Sequence, residues 1–360
     1  MGKTVLILAN KDGGLYNFRK ELLERLIGDG HRVVAVVPDG DRVADIEALG
    51  CEWIDVKLSR RGTNPIADLK LLFYYVKLIR RLTPDLVFTY TIKPNVYGGL
   101  ACRWLKVPYV ANVTGLGSAV ENPGLMQKLT LFLYKIGLKK AKKVFFQNEA
   151  NERFMIGHRV VRGAYDRLPG SGVNLNRYTA APYPAEDTVE FVFVSRVMKE
   201  KGIDQYLQAA QVIREKYPFT HFHICGGYEE NYKETLSRLQ EDDVVIYHGR
   251  VKDMASIYRQ IHCTLHPSFY PEGMSNVLLE SCATARPVIT TDRAGCREAV
   301  DDGVNGFLVK QRDAEDLIQK IERFLALSHQ EKEQMGLAGR AKMEREFDRQ
   351  IVVNKYLEEL

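Results

Sequence analysis

The first half of the chain alternates short apolar runs with longer segments in which apolar residues recur every three or four positions. Short runs rich in Val, Ile and Leu predict buried strands, and the longer amphipathic segments predict helices. Strands that alternate with helices in this way predict a parallel, doubly wound sheet. The predicted strands are Thr4–Ala9, Arg32–Val37, Cys51–Val56, Asp85–Tyr90, Pro108–Val113 and Lys143–Gln147, and the predicted longer helices are Leu15–Ile27, Pro65–Leu82, Asn95–Leu105 and Met126–Lys139.

The same rhythm restarts after Pro169–Tyr178, a Pro-, Gly- and Asn-rich segment that predicts a linker. We therefore expect an α/β protein of two tandem doubly wound Rossmann-like domains facing a central cleft, where ligands bind at the carboxyl ends of both sheets. The expected bounds are 1–175, 176–345 and a C-terminal helix, 346–360, that packs back on the first domain. The second-half strands are predicted at Glu190–Val194, His221–Cys225, Val244–Tyr247, Cys263–Leu265 and Pro287–Thr290, and the helices at Ile203–Lys216, Tyr228–Leu239, Met254–Ile261 and Ser275–Thr284.

Length, cysteine usage and the N-terminus narrow the class of protein. A chain of 360 residues exceeds what one core usually serves, which agrees with two domains. The six cysteines form no Cys-x2-Cys pair, so we expect reduced, buried thiols in a cytoplasmic protein rather than a zinc site. The chain enters a strand directly after Met1-Gly-Lys, so no signal peptide is expected.

Charge is distributed unevenly between the two halves. Residues 1–175 contain 27 Lys and Arg against 16 Asp and Glu, whereas residues 176–360 contain 24 against 30. A basic half predicts an anionic partner such as a membrane, a phosphate or a nucleic acid. A solvated basic surface without a partner is the alternative.

The segment His266–Glu280 joins a polar, turn-rich loop to the start of an apolar helix. The N-terminus of a helix has unpaired backbone N–H groups and partial positive charge, so it suits a diphosphate. Glu272 precedes this helix and Glu280 lies within it, and carboxylates accept hydrogen bonds from sugar hydroxyls. The arrangement predicts a nucleotide-sugar site; two surface glutamates are the alternative.

Arg196 and Lys201 follow the predicted strand Glu190–Val194, and Gly202 opens the next helix. Two cations at the carboxyl end of a strand can bind a diphosphate and stabilise its charge as it leaves. A solvated basic loop is the alternative for this segment by itself. The paired glutamates downstream favour the diphosphate site.

The turn after the first predicted strand contains Gly13 and Gly14, which permit close backbone approach to a ligand. It does not fit Gly-x-Gly-x-x-Gly, so a dinucleotide site is disfavoured. Gly226 and Val251 lie in loops that follow two predicted strands of the second half. Backbone groups of these loops can bind the edge of a nucleotide base.

Metal chemistry has little support in the sequence. The segment Asp39–Asp41 fits the Asp-x-Asp metal–diphosphate pattern but lies in a Pro-Asp-Gly-Asp turn, and the eight histidines show no metal spacing. We expect no metal and no cofactor.

Taken in order, these motifs resemble glycosyltransferase family 4, which has the two-Rossmann GT-B architecture. The resemblance extends over essentially the full chain. It implies a nucleotide-sugar donor, retention of anomeric configuration and no metal requirement. The matching residues are Gly13-Gly14, Ser195-Arg196 with Lys201-Gly202, Gly226-Gly227, Glu272–Glu280 and Arg286–Ile289.

The resemblance implies a role for each matching residue. Arg196, Lys201 and Glu272 are the expected catalytic residues, the first two on the diphosphate and the third facing the donor sugar. Glu280 is expected to bind the ribose hydroxyls of the nucleotide. The full set expected to bind the donor is Gly14, Gly226, Val251, Gly273, Met274, Ser275, Asn276 and Glu280.

One position departs from the family pattern. Many members carry a His at the end of the strand that corresponds to Pro108–Val113, whereas Thr114 stands there in this chain. The role of that His is therefore not transferred. The residues expected to contact the acceptor are Lys11, Tyr16, Arg19, Lys93 and Thr114.

Within the family, Tyr16–Arg19 and Asn148–Asn151 resemble a branch that extends polyprenyl-diphosphate-linked sugars in bacterial glycan assembly. It includes the N-acetylgalactosaminyltransferases of bacterial N-glycosylation. This resemblance implies transfer of an N-acetylhexosamine or galactose from a UDP-sugar at the cytoplasmic face of a bacterial plasma membrane. The basic and apolar segments Lys70–Arg81 and Lys128–Lys143 suit an anionic bilayer, although ordinary helices with a wet basic face are the alternative.

Besides the transferase described above, the sequence leaves open an isomerase, a transferase with other substrates and a binding module. Some UDP-sugar 2-epimerases share two Rossmann domains, and a transferase of this kind can use another nucleotide sugar or a soluble acceptor. A non-catalytic module that binds nucleic acid or lipid through the basic half is the third class. The pairs Arg196/Lys201 and Glu272/Glu280 argue against it, so no nucleic-acid partner is expected.

Overall fold

The computed structural model describes residues 2–58, 64–117, 120 and 123–360. The chain divides into two compact units. The first comprises Met1–Ser171, Pro271–Met274 and Arg349–Leu360, and the second comprises Gly172–Tyr270 and Ser275–Asp348. Each unit is built on one parallel sheet, which confirms the predicted fold class.

The first unit contains a seven-stranded sheet in the order β3-β2-β1-β4-β5-β6-β7. Its central strands carry apolar residues on both faces; Val5, Leu6, Ile7 and Leu8 are all fully buried. Helices cover both faces of such a sheet, so nearly continuous apolar strands are expected. The strands are β1 Thr4–Leu8, β2 Arg32–Val36, β3 Glu52–Ile54, β4 Leu86–Tyr90, β5 Tyr109–Val113, β6 Lys143–Phe146 and β7 Tyr165–Arg167.

Two helices of the first unit begin after an asparagine whose side chain caps the first turn. Asn64 caps one of them by accepting hydrogen bonds from the backbone of Ile66 and Ala67, with Pro65 at the first helical position. The helices are α1 Asp12–Gly28, α2 Val43–Ala48, α3 Pro65–Leu82, α4 Gly99–Leu105, α5 Leu125–Gly137 and α6 Glu149–Gly157, and a π-helical turn at Pro94–Gly98 precedes α4.

The C-terminal residues also belong to the first unit. Val352, Val353 and Tyr356 are buried in the same apolar cluster as β1 and α1. Arg349 forms an ion pair with Glu21 at 2.9 Å, and both side chains are nearly buried. Apolar packing and a shielded ion pair therefore hold this last helix on the first sheet.

The second unit contains a six-stranded sheet in the order β10-β9-β8-β11-β12-β13. Phe191, Phe193, Phe222 and Ile224 form its core on one face together with the flanking helices. The strands are β8 Val189–Val194, β9 Thr220–Cys225, β10 Ile246–Gly249, β11 Cys263–His266, β12 Val288–Thr291 and β13 Gly306–Val309. The helices are α7 Ile203–Lys216, α8 Lys233–Glu241, α9 Met254–Gln260, α10 Asn276–Ala283, α11 Ala314–Leu325 and α12 His329–Glu346, and α13 Arg349–Leu357 is the C-terminal helix of the first unit.

The structure differs from the sequence prediction mostly at element ends. Helix α1 starts at Asp12, so Gly13 and Gly14 lie in its first turn rather than before it. Strands β7 and β13 were not predicted, because three- and four-residue edge strands carry too short a pattern to show a period.

Two further observations bear on environment. All six cysteines are free and buried. In the part of the chain that the structure describes, no helix is both long enough and apolar enough to cross a bilayer.

Candidate functional site

Two cations lie together just beyond the carboxyl end of β8. Arg196 is half-buried, and its Nη1 lies 3.3 Å from Oε1 of Glu229. Lys201 closes a 3₁₀ turn and is only 7% exposed. Both lie over the ring of Tyr270, with Cζ of Arg196 5.4 Å and Nζ of Lys201 4.7 Å from its centroid. An aromatic face stabilises positive charge, so this ring helps to hold the two cations at one place.

The environment of Lys201 lowers the pKa of its ammonium group. Burial lowers the pKa of Lys201 to about 8, with Cys296 opposing and Arg196 adding to the shift. His266 is fully buried, and burial together with the charge of Lys201 lowers the pKa of His266 to about 3, so this imidazole is neutral at pH 7. An anion bound beside Lys201 favours the charged ammonium, so this position suits a phosphate.

Helix α10 begins at Asn276, immediately after Ser275. The Ser275 hydroxyl does not cap the first turn but lies 3.1 Å from Nε2 of His266. Within the described residues, the amide oxygen of Asn276 is buried without a hydrogen-bond partner. The first-turn N–H groups of a helix attract anions, so the start of α10 offers a second contact for a phosphate.

Glu280 lies in the second turn of α10 and is half-buried. Its Oε2 accepts a hydrogen bond from the hydroxyl of Tyr258 at 3.3 Å. Tyr258 is fully buried, and burial followed by the charge of Glu280 raises its pKa well above the usual value. Tyr258 therefore remains a donor, which holds the Glu280 carboxylate in one orientation.

The loops after β9 and β10 contain the other predicted donor-binding residues of the second unit. A Cβ on Gly226 would lie 1.7 Å from the carbonyl oxygen of Ser195, so only glycine fits between these strand ends. The carbonyl of Gly226 accepts a hydrogen bond from the Tyr247 hydroxyl at 2.9 Å. Val251 follows β10 and is half-buried.

The segment Pro271–Met274 belongs to the first unit, although its neighbours along the chain belong to the second. A Cβ on Gly273 would lie 2.2 Å from the carbonyl oxygen of Thr114, so the two backbones approach as only glycine allows. The side-chain amide of Asn148 donates to the carbonyl of Glu272 at 3.2 Å and to that of Gly273 at 2.6 Å. Met274 is buried. The loop that carries Glu272 is thus fixed by first-unit contacts.

The predicted acceptor residues divide into three environments. Lys11 is exposed and lines a first-unit cavity of about 460 Å³ between the loops that follow β1 and β2. Gly14, which was predicted to bind the donor, is half-buried in α1 of this first unit. The ring centroid of Tyr16, a predicted acceptor residue, lies 5.2 Å from the guanidinium carbon of Arg42, which also lines the cavity. This cavity is open to a ligand at the carboxyl edge of the sheet.

Arg19 is held differently from the other predicted acceptor residues. It is 4% exposed, and its guanidinium carbon lies 5.1 Å from the ring centroid of Tyr90 and 5.8 Å from that of Tyr356. Its Nη1 donates to the carbonyl of Phe18 at 2.6 Å. Arg19 is therefore packed in the interior of the first unit. Its contact with an acceptor stays a prediction.

Lys93 and Thr114 complete the predicted set. Nζ of Lys93 lies 2.7 Å from the carboxylate of Asp68, and both side chains are largely buried, so Lys93 joins the loop after β4 to α3. Thr114 is half-buried at the end of β5, where its carbonyl faces Gly273. Thr114 is therefore beside the Glu272 loop, and its contact with an acceptor stays a prediction.

Sequence reasoning missed three residues that shape the site. Tyr270 follows the Ser-Phe pair of the turn-rich loop, and His266 ends β11. Neither has a spacing that predicts the ring contact of Tyr270 with Lys201 or the electrostatic effect of Lys201 on His266. Asn148 was seen only as part of a family motif. Among the described residues, no group of three or more His, Cys, Asp or Glu is placed to hold a metal ion.

Two protein-family models match the chain, one in each unit. Residues 188–326 match the model described as "Glycosyl transferases group 1", and residues 4–148 match "Glycosyl transferase 4-like". The matches include β8, the two cations and α10 in the second unit, and β1 to β6 in the first.

Relatives named as glycosyltransferases align over most of the chain. It is 27% identical to the N,N'-diacetylbacillosaminyl-diphospho-undecaprenol alpha-1,3-N-acetylgalactosaminyltransferase of Campylobacter jejuni, over 97% of this chain and 96% of the relative. It is 25% identical to the capsular polysaccharide biosynthesis glycosyltransferase CapM of Staphylococcus aureus, over 81% of this chain and 80% of the relative.

Solved structures share the fold at lower identity. A glycosyltransferase from Rickettsia africae superposes with a TM-score of 0.82 at 20% identity, covering 99% of this chain and 97% of its own. HepE of Anabaena, solved with UDP and glucose, superposes with a TM-score of 0.81 at 18% identity, covering 99% and 98%. These likenesses confirm the predicted GT-B fold.

Proposed function

We propose, from the premise that the chain belongs to the group 1 and 4-like glycosyltransferases, that it transfers a sugar from a UDP-sugar to a polyprenyl-diphosphate-linked saccharide. The relative from Campylobacter jejuni is named for that kind of acceptor and for N-acetylgalactosamine as the sugar. HepE, which shares the fold, was solved with UDP. The donor proposed for this chain is accordingly a UDP-N-acetylhexosamine or UDP-galactose.

The observation that carries the donor proposal is the pair of cations over Tyr270. Lys201 is buried and Arg196 half-buried at the carboxyl end of β8, the edge at which parallel α/β sheets bind ligands. A diphosphate here gains charge-assisted hydrogen bonds from both cations and from the start of α10. In this proposal Glu280, oriented by Tyr258, accepts hydrogen bonds from ribose hydroxyls.

Stabilisation of the leaving group is the proposed source of catalysis. The bond between C1 of the donor sugar and the diphosphate oxygen breaks, and its electron pair stays with that oxygen. Lys201 and Arg196 stabilise the developing charge. The acceptor hydroxyl attacks C1 from the same face, so configuration is retained, and its proton passes to the departing diphosphate. Glu272 faces the donor sugar during this step.

Metal independence is part of the same proposal. Two cations and a helix N-terminus supply the positive charge that a divalent ion provides in other diphosphate sites. We expect transfer to continue at an unchanged rate after treatment with a chelator. Activity that is lost with the chelator and restored by Mg²⁺ or Mn²⁺ contradicts this part.

The central test is transfer to a short-chain polyprenyl-diphosphate-linked sugar, with UDP-N-acetylgalactosamine, UDP-N-acetylglucosamine and UDP-galactose as donors. We expect turnover with one of them and a loss of about 10² or more in kcat for Lys201→Ala or Arg196→Ala, as for removal of an oxyanion donor. The anomeric configuration of the product decides retention. Near-normal turnover in Arg196→Ala refutes the leaving-group mechanism, and conversion of a UDP-sugar without acceptor identifies an isomerase.

The first unit also carries a surface that fits a lipid acceptor. Ile66, Leu69 and Phe73 form an exposed apolar row on α3, and Leu125, Met126, Leu129 and Phe132 form one on α5. Helix α4 packs against both α3 and α5, so the two rows lie on one helical layer. Exposed basic residues accompany both rows: Lys70, Lys77, Arg80, Arg81, Lys128 and Lys135.

Apolar side chains beside exposed cations suit the interface of an anionic bilayer, where each basic residue contributes about 1 kcal/mol. We propose peripheral binding of this layer to the cytoplasmic face of a bacterial plasma membrane, where a lipid-linked acceptor is available. The free, buried cysteines agree with a reducing compartment.

Vesicle sedimentation tests the membrane proposal. We expect binding to vesicles that contain phosphatidylglycerol, weaker binding to phosphatidylcholine alone, and loss of binding in the double variant Phe73→Ser/Phe132→Ser. Phe219→Ser is the matched control, because Phe219 is also exposed but belongs to the second unit. Equal binding by the double variant and the control refutes the proposed surface; turnover with a soluble acceptor alone refutes the lipid acceptor.

A further inference from the structure

The side chain of Asn148 connects a first-unit helix to the loop that carries Glu272. Asn148 follows β6 and is 1% exposed. Its Nδ2 donates to the carbonyl oxygens of Glu272 and Gly273, at 3.2 and 2.6 Å. One amide group therefore holds two successive carbonyls of the loop, although the residues are 124 and 125 positions apart.

Helix capping fixes which way this amide points. The Oδ1 of Asn148 accepts a hydrogen bond from the backbone N–H of Asn151 at 2.8 Å, which caps α6. A helix N-cap needs an acceptor at that place, so the oxygen faces the helix and the two N–H groups face the loop. The side chain thus has two separable tasks: an acceptor for α6 and a donor for the loop.

The loop has little freedom beside this contact. An added Cβ on Gly273 would lie 2.2 Å from the carbonyl oxygen of Thr114 and 2.5 Å from Oε1 of Gln147. The backbone of Gly115 also approaches Gly273, since a Cβ on Gly115 would lie 3.0 Å from the Gly273 nitrogen. Close packing fixes the position of the peptide, and the two carbonyl hydrogen bonds fix its rotation.

We propose that Asn148 is a positioning residue for sugar transfer: its amide orients the Glu272–Gly273 peptide so that the Glu272 side chain meets the donor sugar. This inference rests on the proposed function, in which Glu272 contacts that sugar. In the proposed function UDP is bound by Lys201, Arg196 and Glu280, whereas the hydrogen bonds of Asn148 are made with Asn151, Glu272 and Gly273. Loss of the amide donor therefore acts on the sugar step and not on the nucleotide.

Asn148→Asp separates the two tasks, because a carboxylate still caps α6 but cannot donate to the loop carbonyls. We expect a decrease in kcat of about tenfold to a hundredfold, the cost of displacing a reacting group by about 1 Å. We expect the affinity for UDP alone to stay within about twofold of wild type, because the nucleotide contacts remain. Asn64→Asp is the matched control: Asn64 caps α3 in the same way and touches no part of the loop, so its kcat is expected to be that of wild type.

A double variant decides whether Asn148 acts through Glu272. In the Glu272→Gln background, Asn148→Asp is expected to cost less than about threefold more in kcat, because effects through one group are not additive. If Glu272→Gln alone has wild-type activity, the proposed role of Glu272 fails. If Glu272→Gln is impaired and Asn148→Asp has wild-type kcat, or lowers UDP affinity as much as kcat, the positioning role is overturned.

A second variant guards against simple unfolding. Asn148→Ser also keeps a capping oxygen but is too short to reach both carbonyls. We expect it to fold with a melting temperature near that of wild type and to lose kcat as Asn148→Asp does. If both variants fail to fold, Asn148 is a structural residue of the first unit and the proposal is overturned.

Discussion

Replacement of Lys201 by Met tests the electrostatics on which the proposed donor site depends. Lys201 is 7% exposed, and its pKa falls from 10.5 to about 8 mainly because burial disfavours the charged ammonium. A base whose pKa is lower in the folded protein destabilises the fold at every pH below that of the unfolded group. Met keeps the length and apolar stem of the side chain without its charge, so the ligand-free variant is expected to be more stable than wild type.

The size of the effect follows from the shift. A fall from 10.5 to about 8 corresponds to about 3 kcal/mol at 1.36 kcal/mol per pKa unit. Loss of the contact between Lys201 and the Tyr270 ring offsets about 1 kcal/mol of this gain. We therefore expect Lys201→Met to raise the free energy of unfolding by about 2 kcal/mol at pH 7.

The pH dependence distinguishes desolvation from ordinary repacking. As pH rises through about 8 the folded wild type loses the buried charge, and the cost of burial falls by about half by pH 9.5. The measurement is urea unfolding at both pH values, with Lys233→Met as the control because Lys233 is exposed. A Lys201→Met protein that is less stable than wild type at pH 7, or a difference that is the same at pH 9.5, refutes this reasoning.

Three further predictions concern Lys201, Gly273 and Arg349. UDP affinity, measured by calorimetry, is expected to weaken about tenfold between pH 7 and pH 9, because Lys201 loses its proton with a pKa of about 8; an equal pH dependence in Lys201→Met contradicts this. Gly273→Ala is expected to bind UDP normally but to lose sugar transfer, because the new Cβ meets the carbonyl of Thr114; normal turnover contradicts this. Arg349→Met is expected to lower stability in thermal unfolding by about 3 kcal/mol, because it removes a shielded cation from Glu21, and Glu21→Gln in the same chain is expected to restore part of it; an unchanged melting curve contradicts this.

The sequence predicted both sheets because the evidence for a buried strand is local. Val5–Leu8 or Phe191–Val194 is apolar on both faces, and such runs between amphipathic helices occur in parallel sheets. The short edge strands β7 and β13 carry no such pattern, so they were missed. Helix α1 was predicted to begin three residues late, because its first turn contains two glycines, which have a low helix propensity.

The grouping of the charged residues at one edge of the second sheet was also predictable from sequence. Arg196 and Lys201 follow one strand and Ser275 precedes a helix, and parallel topology brings such positions to the same edge of a sheet. The sequence did not predict that Tyr270 lies under both cations or that His266 contacts Ser275. Those contacts depend on side-chain directions that no spacing rule describes.

The sequence by itself therefore determined the two α/β units, the family resemblance and the set of charged residues at strand ends, because periodicity and short motifs are properties of neighbouring residues. Only the tertiary structure decided which charges are buried. Arg19 and Lys201 look alike as basic residues near glycines, yet the first lies between Tyr90 and Tyr356 and the second over Tyr270. The tertiary structure also placed the Glu272 loop in the first unit, against Asn148, because packing joins residues that are more than a hundred positions apart.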